Sequence, residues 1–292
     1  MISSQERRAV LMVIGSALGF ASISLFVIFA TRAGTPLSMV LFGRYAVAAL
    51  LLGAWLRGRL APATVGKSFV PLLVYGGIGQ AIVATLSLSS LAYIPAATLV
   101  FLFYTYPAWV AVLAAVRGTE PLDRQRVLAL TLSLLGIVSL VGFPGTAAVH
   151  PLGAALALSA AFSYALYIPL LRGLQRGVDA RAASFLISAG VALIFIVATL
   201  WRREFSLALP AVSWWSILAL GVFCTTGAFI LFLGGLAILG SVRTAITSTA
   251  EPLFAAVLAA LFLDQPITWP LVAGGVLIGA AVVLLNRGPS RA

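Results

Sequence analysis

The sequence predicts an all-α polytopic membrane protein, with ten transmembrane helices in two inverted five-helix repeats around a central cavity. Three observations lead there: a composition too apolar for water, ten apolar runs of bilayer length, and an internal repeat with an odd number of runs. Of the 292 residues, 62% are apolar and only 9% charged, against about 25% charged in an ordinary soluble domain. A fold of this size in water would need a polar coat that the chain lacks, so its solvent is lipid. One cysteine (Cys224), one histidine (His150) and seven acidic residues leave no material for a disulfide framework or a metal cluster, and no cofactor is expected. The net charge of +11 does not point to nucleic acid, because the basic residues stand in ones and twos between apolar runs rather than in a patch.

A bilayer core about 30 Å thick takes about 20 apolar residues per helix. Such runs occur at roughly 9–31, 36–56, 68–91, 95–116, 127–143, 151–171, 181–201, 213–238, 243–263 and 269–286. Pro36, Pro95, Pro121, Pro144, Pro151, Pro210 and Pro266 fall at or near the breaks, where the residue before proline resists helix. The first run follows Arg7 and Arg8 as a signal sequence would. It is longer than a signal core and a second run follows at once, so it is expected to remain in the mature protein. With the N-terminus inside, fourteen of the 18 lysines and arginines fall on the cytoplasmic side, including Arg57, Arg59, Arg243, Arg287 and Arg291. Three (Arg32, Arg202 and Arg203) fall outside and Arg44 lies within a run, which places both termini in the cytoplasm. Trp55, Trp201, Trp214, Trp215 and Trp269 lie near run ends, as interfacial anchors do.

Runs four and nine superpose when shifted by 145 positions: Pro107 meets Pro252, Pro121 meets Pro266, and 107–115 matches 252–260 in its alanine-rich pattern. The repeat units are therefore 1–146 and 147–292. Five spans per unit reverse the second unit in the membrane, a signature of secondary transporters with a midplane site between the halves.

Several stretches resemble the drug/metabolite transporter superfamily of the EamA type. They are Phe42-Gly-Arg44-Tyr in run two, the proline-bearing runs four and nine, and the serine- and alanine-rich start of run six through Tyr164. The resemblance covers essentially the whole chain. Within the superfamily, Tyr104-Thr-Tyr106-Pro107 is similar to the motif of YddG-type exporters of aromatic amino acids, which carry tryptophan where Tyr106 stands. A tryptophan is also usual at Tyr164. The resemblance implies a secondary transporter in a bacterial inner membrane, exporting aromatic and other apolar amino acids by alternating access. A multidrug or cationic-compound exporter of the same fold is the alternative.

Glu251 is the one carboxylate well inside a run, about 12 Å past Arg243 at 1.5 Å per residue. An ionisable group at that depth is a functional candidate by default: a proton carrier, a partner for a substrate ammonium, or a structural partner of Arg44. Arg44 lies about 12 Å past Pro36, where its guanidinium fork could hold a carboxylate or tie down a neighbouring helix. Pro107 and Pro252 are read as kinks in cavity-lining helices, since freed backbone groups are tolerated only beside a cavity or protein. Tyr104, Tyr106 and Tyr164 are expected to face the interior, where a hydroxyl finds a partner. Gln80 and Ser248 are further substrate-binding candidates, Ser248 on the face of Glu251. Gly15-x-x-x-Gly19 and Gly275-x-x-x-Gly279 read as close helix packing, and His150 is given no role.

The expected partners are a small-molecule substrate, an amino acid or amphipathic metabolite, and the lipid bilayer, in a chain compatible with a monomer. An enzyme would need paired acids or a nucleophile with its base at depth. A channel would need a charged ring or filter loop, and no phosphate-cradling GxxxxGK[ST] loop is present.

Overall fold

A computed structural model describes residues 4–56, 66–90, 92–94, 96–119, 123–141, 150–262 and 269–285. Pro95, Pro121, Pro144 and Pro266, with Arg57, Arg59, Arg287 and Arg291, lie outside the described residues. The elements are α1 (Ser4–Arg32), α2 (Leu37–Leu56), α3 (Gly66–Ser90), α4 (Ala96–Phe103), α5 (Tyr106–Val116), α6 (Arg124–Val141) and α7 (Pro151–Leu174). They continue with α8 (Ala180–Trp201), α9 (Ala211–Leu239), α10 (Ser241–Thr247), α11 (Ala250–Phe262) and α12 (Trp269–Leu285). No strand occurs among the described residues.

Six of these, α1, α2, α3, α7, α8 and α9, are long and apolar enough to cross a bilayer. The ten expected spans exceed that number for a physical reason. Runs four and nine are each two helices, interrupted at Tyr104-Thr105 and Ser248-Thr249, so neither half reaches about 20 residues. Pro107 and Pro252 sit in the first turn of the restarted helices α5 and α11, where a missing N–H leaves no intrahelical bond unmade. They start helices rather than kink continuous ones. The two interruptions are closed alike: Thr105 Oγ1 donates to the Leu102 carbonyl at 2.7 Å, and Thr249 Oγ1 to the Ile246 carbonyl at 2.7 Å. Runs five and ten are short, with Arg124 and Arg126 opening α6 and 17 residues in α12.

Long helices pack as antiparallel pairs. Along α1 and α9, Gly15 meets Leu231, Gly19 meets Ala228, and Gly235 meets Val13. Along α3 and α7, Gly79 meets Tyr167 while Gly153 meets Ile94, just past the end of α3. Helices α2 and α8 pair through Gly53 with Phe185, and through Tyr45 stacked 6.4 Å from Phe195. Helices α6 and α12 pair through Gly136 with Ile278 and a 2.9 Å bond from Ser139 Oγ to the Pro270 carbonyl. Of the two small-residue motifs, Gly15 and Gly19 both pack closely; Gly275 meets Leu253, but Gly279 has nothing within 4 Å.

The tightest approach joins α3 to α8. Leu72–Gly76 is π-helical, and its widened turn brings the Leu73 carbonyl to Gly190, where an added Cβ would lie 2.0 Å from that oxygen. Neither backbone can yield without separating the helices. Gly190→Ala is therefore expected to cost at least the upper end of the usual overpacking range, about 3 kcal/mol. The melting temperature of the detergent-solubilised protein checks this; melting like the parent would mean the contact carries no stability.

Two ends of the bundle are distinguished by polar contacts. At one, Ser38 hydrogen-bonds Glu204, Thr35 Oγ1 donates to Ser213 Oγ at 2.7 Å, and the rings of Tyr93 and His150 lie 5.1 Å apart. At the other, Arg243 Nη1 donates to Glu6 Oε1 at 2.8 Å. Arg243 is thus not the solvated loop charge that the sequence suggested: it lies in α10, 9% exposed, and ties the start of that helix to the start of α1.

Candidate functional site

The helix interruptions converge on one cavity of about 170 Å³. Helix α1 bends at Ser22 and contributes Phe20 and Ser24; α2 contributes Arg44 and Tyr45; α3 contributes Gln80 and Ser87. Phe103 and Tyr104 come from the α4–α5 break, Tyr164 from α7, Phe229 from α9 and Glu251 from α11. Runs four and nine, read from their prolines as cavity-lining, both contribute, and runs one, two, three, six and eight join them.

Arg44 is 3% exposed, and its Nε donates to Thr225 Oγ1 at 2.6 Å. Thr225 belongs to a second π-helical stretch, Leu220–Gly227 in α9, and its hydroxyl donates in turn to the Leu220 carbonyl at 2.8 Å. The guanidinium carbon stands 4.8 Å from the Tyr45 ring centroid, within cation–π range. Arg44 therefore secures the irregular turn of α9 while presenting a cation to the cavity. Glu251 lies in the same cavity, whose lining Tyr104 and Tyr164 share. Arg44 and Glu251 thus line one cavity, the guanidinium anchored through Nε on Thr225.

The aromatic wall is continuous. Phe103 stacks on Tyr164 at 5.6 Å, Tyr106 meets the Tyr164 ring edge-on at 4.8 Å, and Tyr104 lies 5.8 Å from Tyr106. Such pairs fix one another's orientation beyond what burial alone gives. Tyr104 and Tyr164 line the cavity, whereas Tyr106 stands behind them, 2% exposed, with its hydroxyl 3.4 Å from the Ala245 carbonyl. Ser248, 4% exposed in the turn between α10 and α11, is also outside the lining. Gln80 borders the cavity and donates from Nε2 to Tyr45 Oη at 3.0 Å. Tyr45, Phe103, Phe229 and Ser24 were not anticipated. Tyr45 and Phe103 each adjoin a residue that was, and no local signal marks Ser24 or Phe229.

A helical bundle with these apolar spans around a polar-floored cavity is a multi-pass membrane protein. The chain belongs to the EamA-like transporter family, whose pattern matches it twice, over residues 7–142 and 151–287. That is a family of membrane transporters of small molecules and not of enzymes. No curated protein matches the chain. A solved crystal structure of a protein shares the fold with a TM-score of 0.78, at 20% identity over 95% of this chain and 96% of that one.

Proposed function

We propose that the chain is a ten-span secondary transporter of two inverted repeats, 1–146 and 147–292, exporting aromatic and other apolar amino acids by alternating access. Helix pairing supports the architecture. Exchanging the repeats turns the α1/α9 pair into α7/α3 and maps α2/α8 and α6/α12 onto themselves, and each of these pairs is antiparallel. The α4–α5 and α10–α11 units then count as one interrupted span each, the kind of discontinuous helix that builds transporter sites. Arg7, Arg8, Arg172, Arg176 and Arg181 gather at the Arg243 end, and Arg32, Arg202 and Arg203 at the Glu204 end. By the positive-inside rule the Arg243 end is cytoplasmic, with both termini, in a bacterial inner membrane.

The observation that carries the substrate reading is the presence of Arg44 and Glu251 in one cavity beside stacked rings. A zwitterion offers a carboxylate to the guanidinium fork and an ammonium to Glu251, leaving its side chain against Phe103, Tyr104 and Tyr164. Size agrees: a cavity of about 150 Å³ takes up benzene, and this one is about 170 Å³. Counterflow of a labelled amino-acid panel and a cationic dye into proteoliposomes tests the reading. Uptake of tryptophan or phenylalanine is expected, reduced at least tenfold in Tyr104→Ala. Uptake of the dye alone would instead favour a cationic-compound exporter, with the cation held by Glu251 and the ring faces.

A further inference from the structure

The cavity is one-sided. Its lining on α3 runs from Gln80 through Ser87 to Leu88, and on α1 from Phe20 to Ser24, so it extends from mid-bundle toward the Glu204 end. A second, much smaller void of about 10 Å³ lies on the opposite side of the same layer, room for about one water. Its walls include Tyr167 and Leu171 on α7, Ile187 on α8 and Leu233 on α9, all displaced along their helices toward the Arg243 end. Gln80, Tyr164 and Phe229 border both spaces.

We infer that Gln80, Tyr164 and Phe229 form a septum across the translocation route, and that the route continues through the smaller void between α3, α7 and α9. This rests on the transport reading above. The septum is braced on each side. Gln80 is tethered to Tyr45 Oη at 3.0 Å, and Tyr167 Oη donates to the Gly76 carbonyl, at the end of the π-helical stretch of α3, at 2.6 Å. Deeper still, Gln175 Nε2 donates to the Leu233 carbonyl at 3.2 Å, closing α7 on α9. Passage requires the septum rings to swing aside and that last bond to part. The competing route, between α5 and α10, is closed by the contact of Tyr106 with Ala245 and by fully buried Val110.

Site-directed labelling distinguishes the routes. Cys224 is the one native cysteine and is buried, so Cys224→Ala provides the background for Leu171→Cys and, separately, Val110→Cys. Inside-out vesicles are treated with a membrane-impermeant maleimide, with and without saturating phenylalanine, and counterflow is measured on the same preparations. The expected result is labelling at position 171 accelerated at least tenfold by phenylalanine, with position 110 unchanged. Adding Phe229→Ala is expected to raise labelling at 171 without phenylalanine. Counterflow with no phenylalanine-dependent change at 171 overturns the septum and leaves transport standing. Absence of counterflow for every compound, with no change at either position, overturns both.

Discussion

Arg44→Ala is expected to weaken binding of a transported amino acid by roughly 150-fold, read as the shift in half-saturating concentration for counterflow. Removing one partner of a desolvated charge pair costs about 3 kcal/mol, and each 1.4 kcal/mol is a factor of ten. Because Arg44 also holds Thr225 at 2.6 Å, a loss in this variant alone could arise from slackening of the Leu220–Gly227 stretch. Thr225→Val separates the two contributions. It removes the Nε partner and leaves the guanidinium in place, at a cost of about 1–3 kcal/mol in stability. If Arg44 binds the substrate carboxylate, Thr225→Val lowers the melting temperature but shifts half-saturation far less than Arg44→Ala. Equal effects of the two variants on half-saturation would reduce Arg44 to a tie between α2 and α9.

Glu251→Gln carries the second large effect, with opposite signs for stability and function. An ionised side chain near the bilayer midplane costs roughly 2.5–3.5 kcal/mol on insertion scales. The amide keeps the shape and removes the ionisation, so the variant is expected to melt at or above the parent temperature. Counterflow is expected to fall at least tenfold and to lose its dependence on pH, since no other carboxylate lines the cavity among the described residues. Unchanged flux with an unchanged pH profile would exclude Glu251 both as proton carrier and as partner for the substrate ammonium.

Much of this was legible in the sequence because lipid enforces simple rules. Apolar run length located the long helices, and the register of Pro107 with Pro252 marked runs four and nine as cavity-lining. Arg44 and Glu251 stood out because charge at that depth is costly enough to require a reason. What could not be read was local geometry. A proline one or two residues into a helix and a proline kinking a longer one look alike in sequence, so the restarted helices α5 and α11 were taken as kinked spans. Ser248 was read within one continuous helix, whereas the turn at Ser248-Thr249 divides that run into α10 and α11. The π-helical stretches have no residue signature, because the extra residue is accommodated by neighbours such as Gly190 and Arg44 that lie far away in the chain. Glu6 with Arg243 joins residues 237 positions apart, and Arg243 had counted only as one of the cytoplasmic-side charges.

The contact of Leu73 and Gly77 with Gly190 has a mechanical consequence. There the backbones of α3 and α8 touch directly, with the Ile187 side chain packed beside them on Gly76, so the point of contact can serve as a fulcrum. Ser87 on the cavity wall lies ten residues beyond Gly77, a lever arm of roughly 15 Å at 1.5 Å per residue. A tilt of about 10° at the fulcrum moves that wall by roughly 2.6 Å over such an arm, close to the width of a water molecule. At Gly77 and Gly190 no rotamer has to change for that swing, and Ile187 beside Gly76 is the side chain that has to adjust.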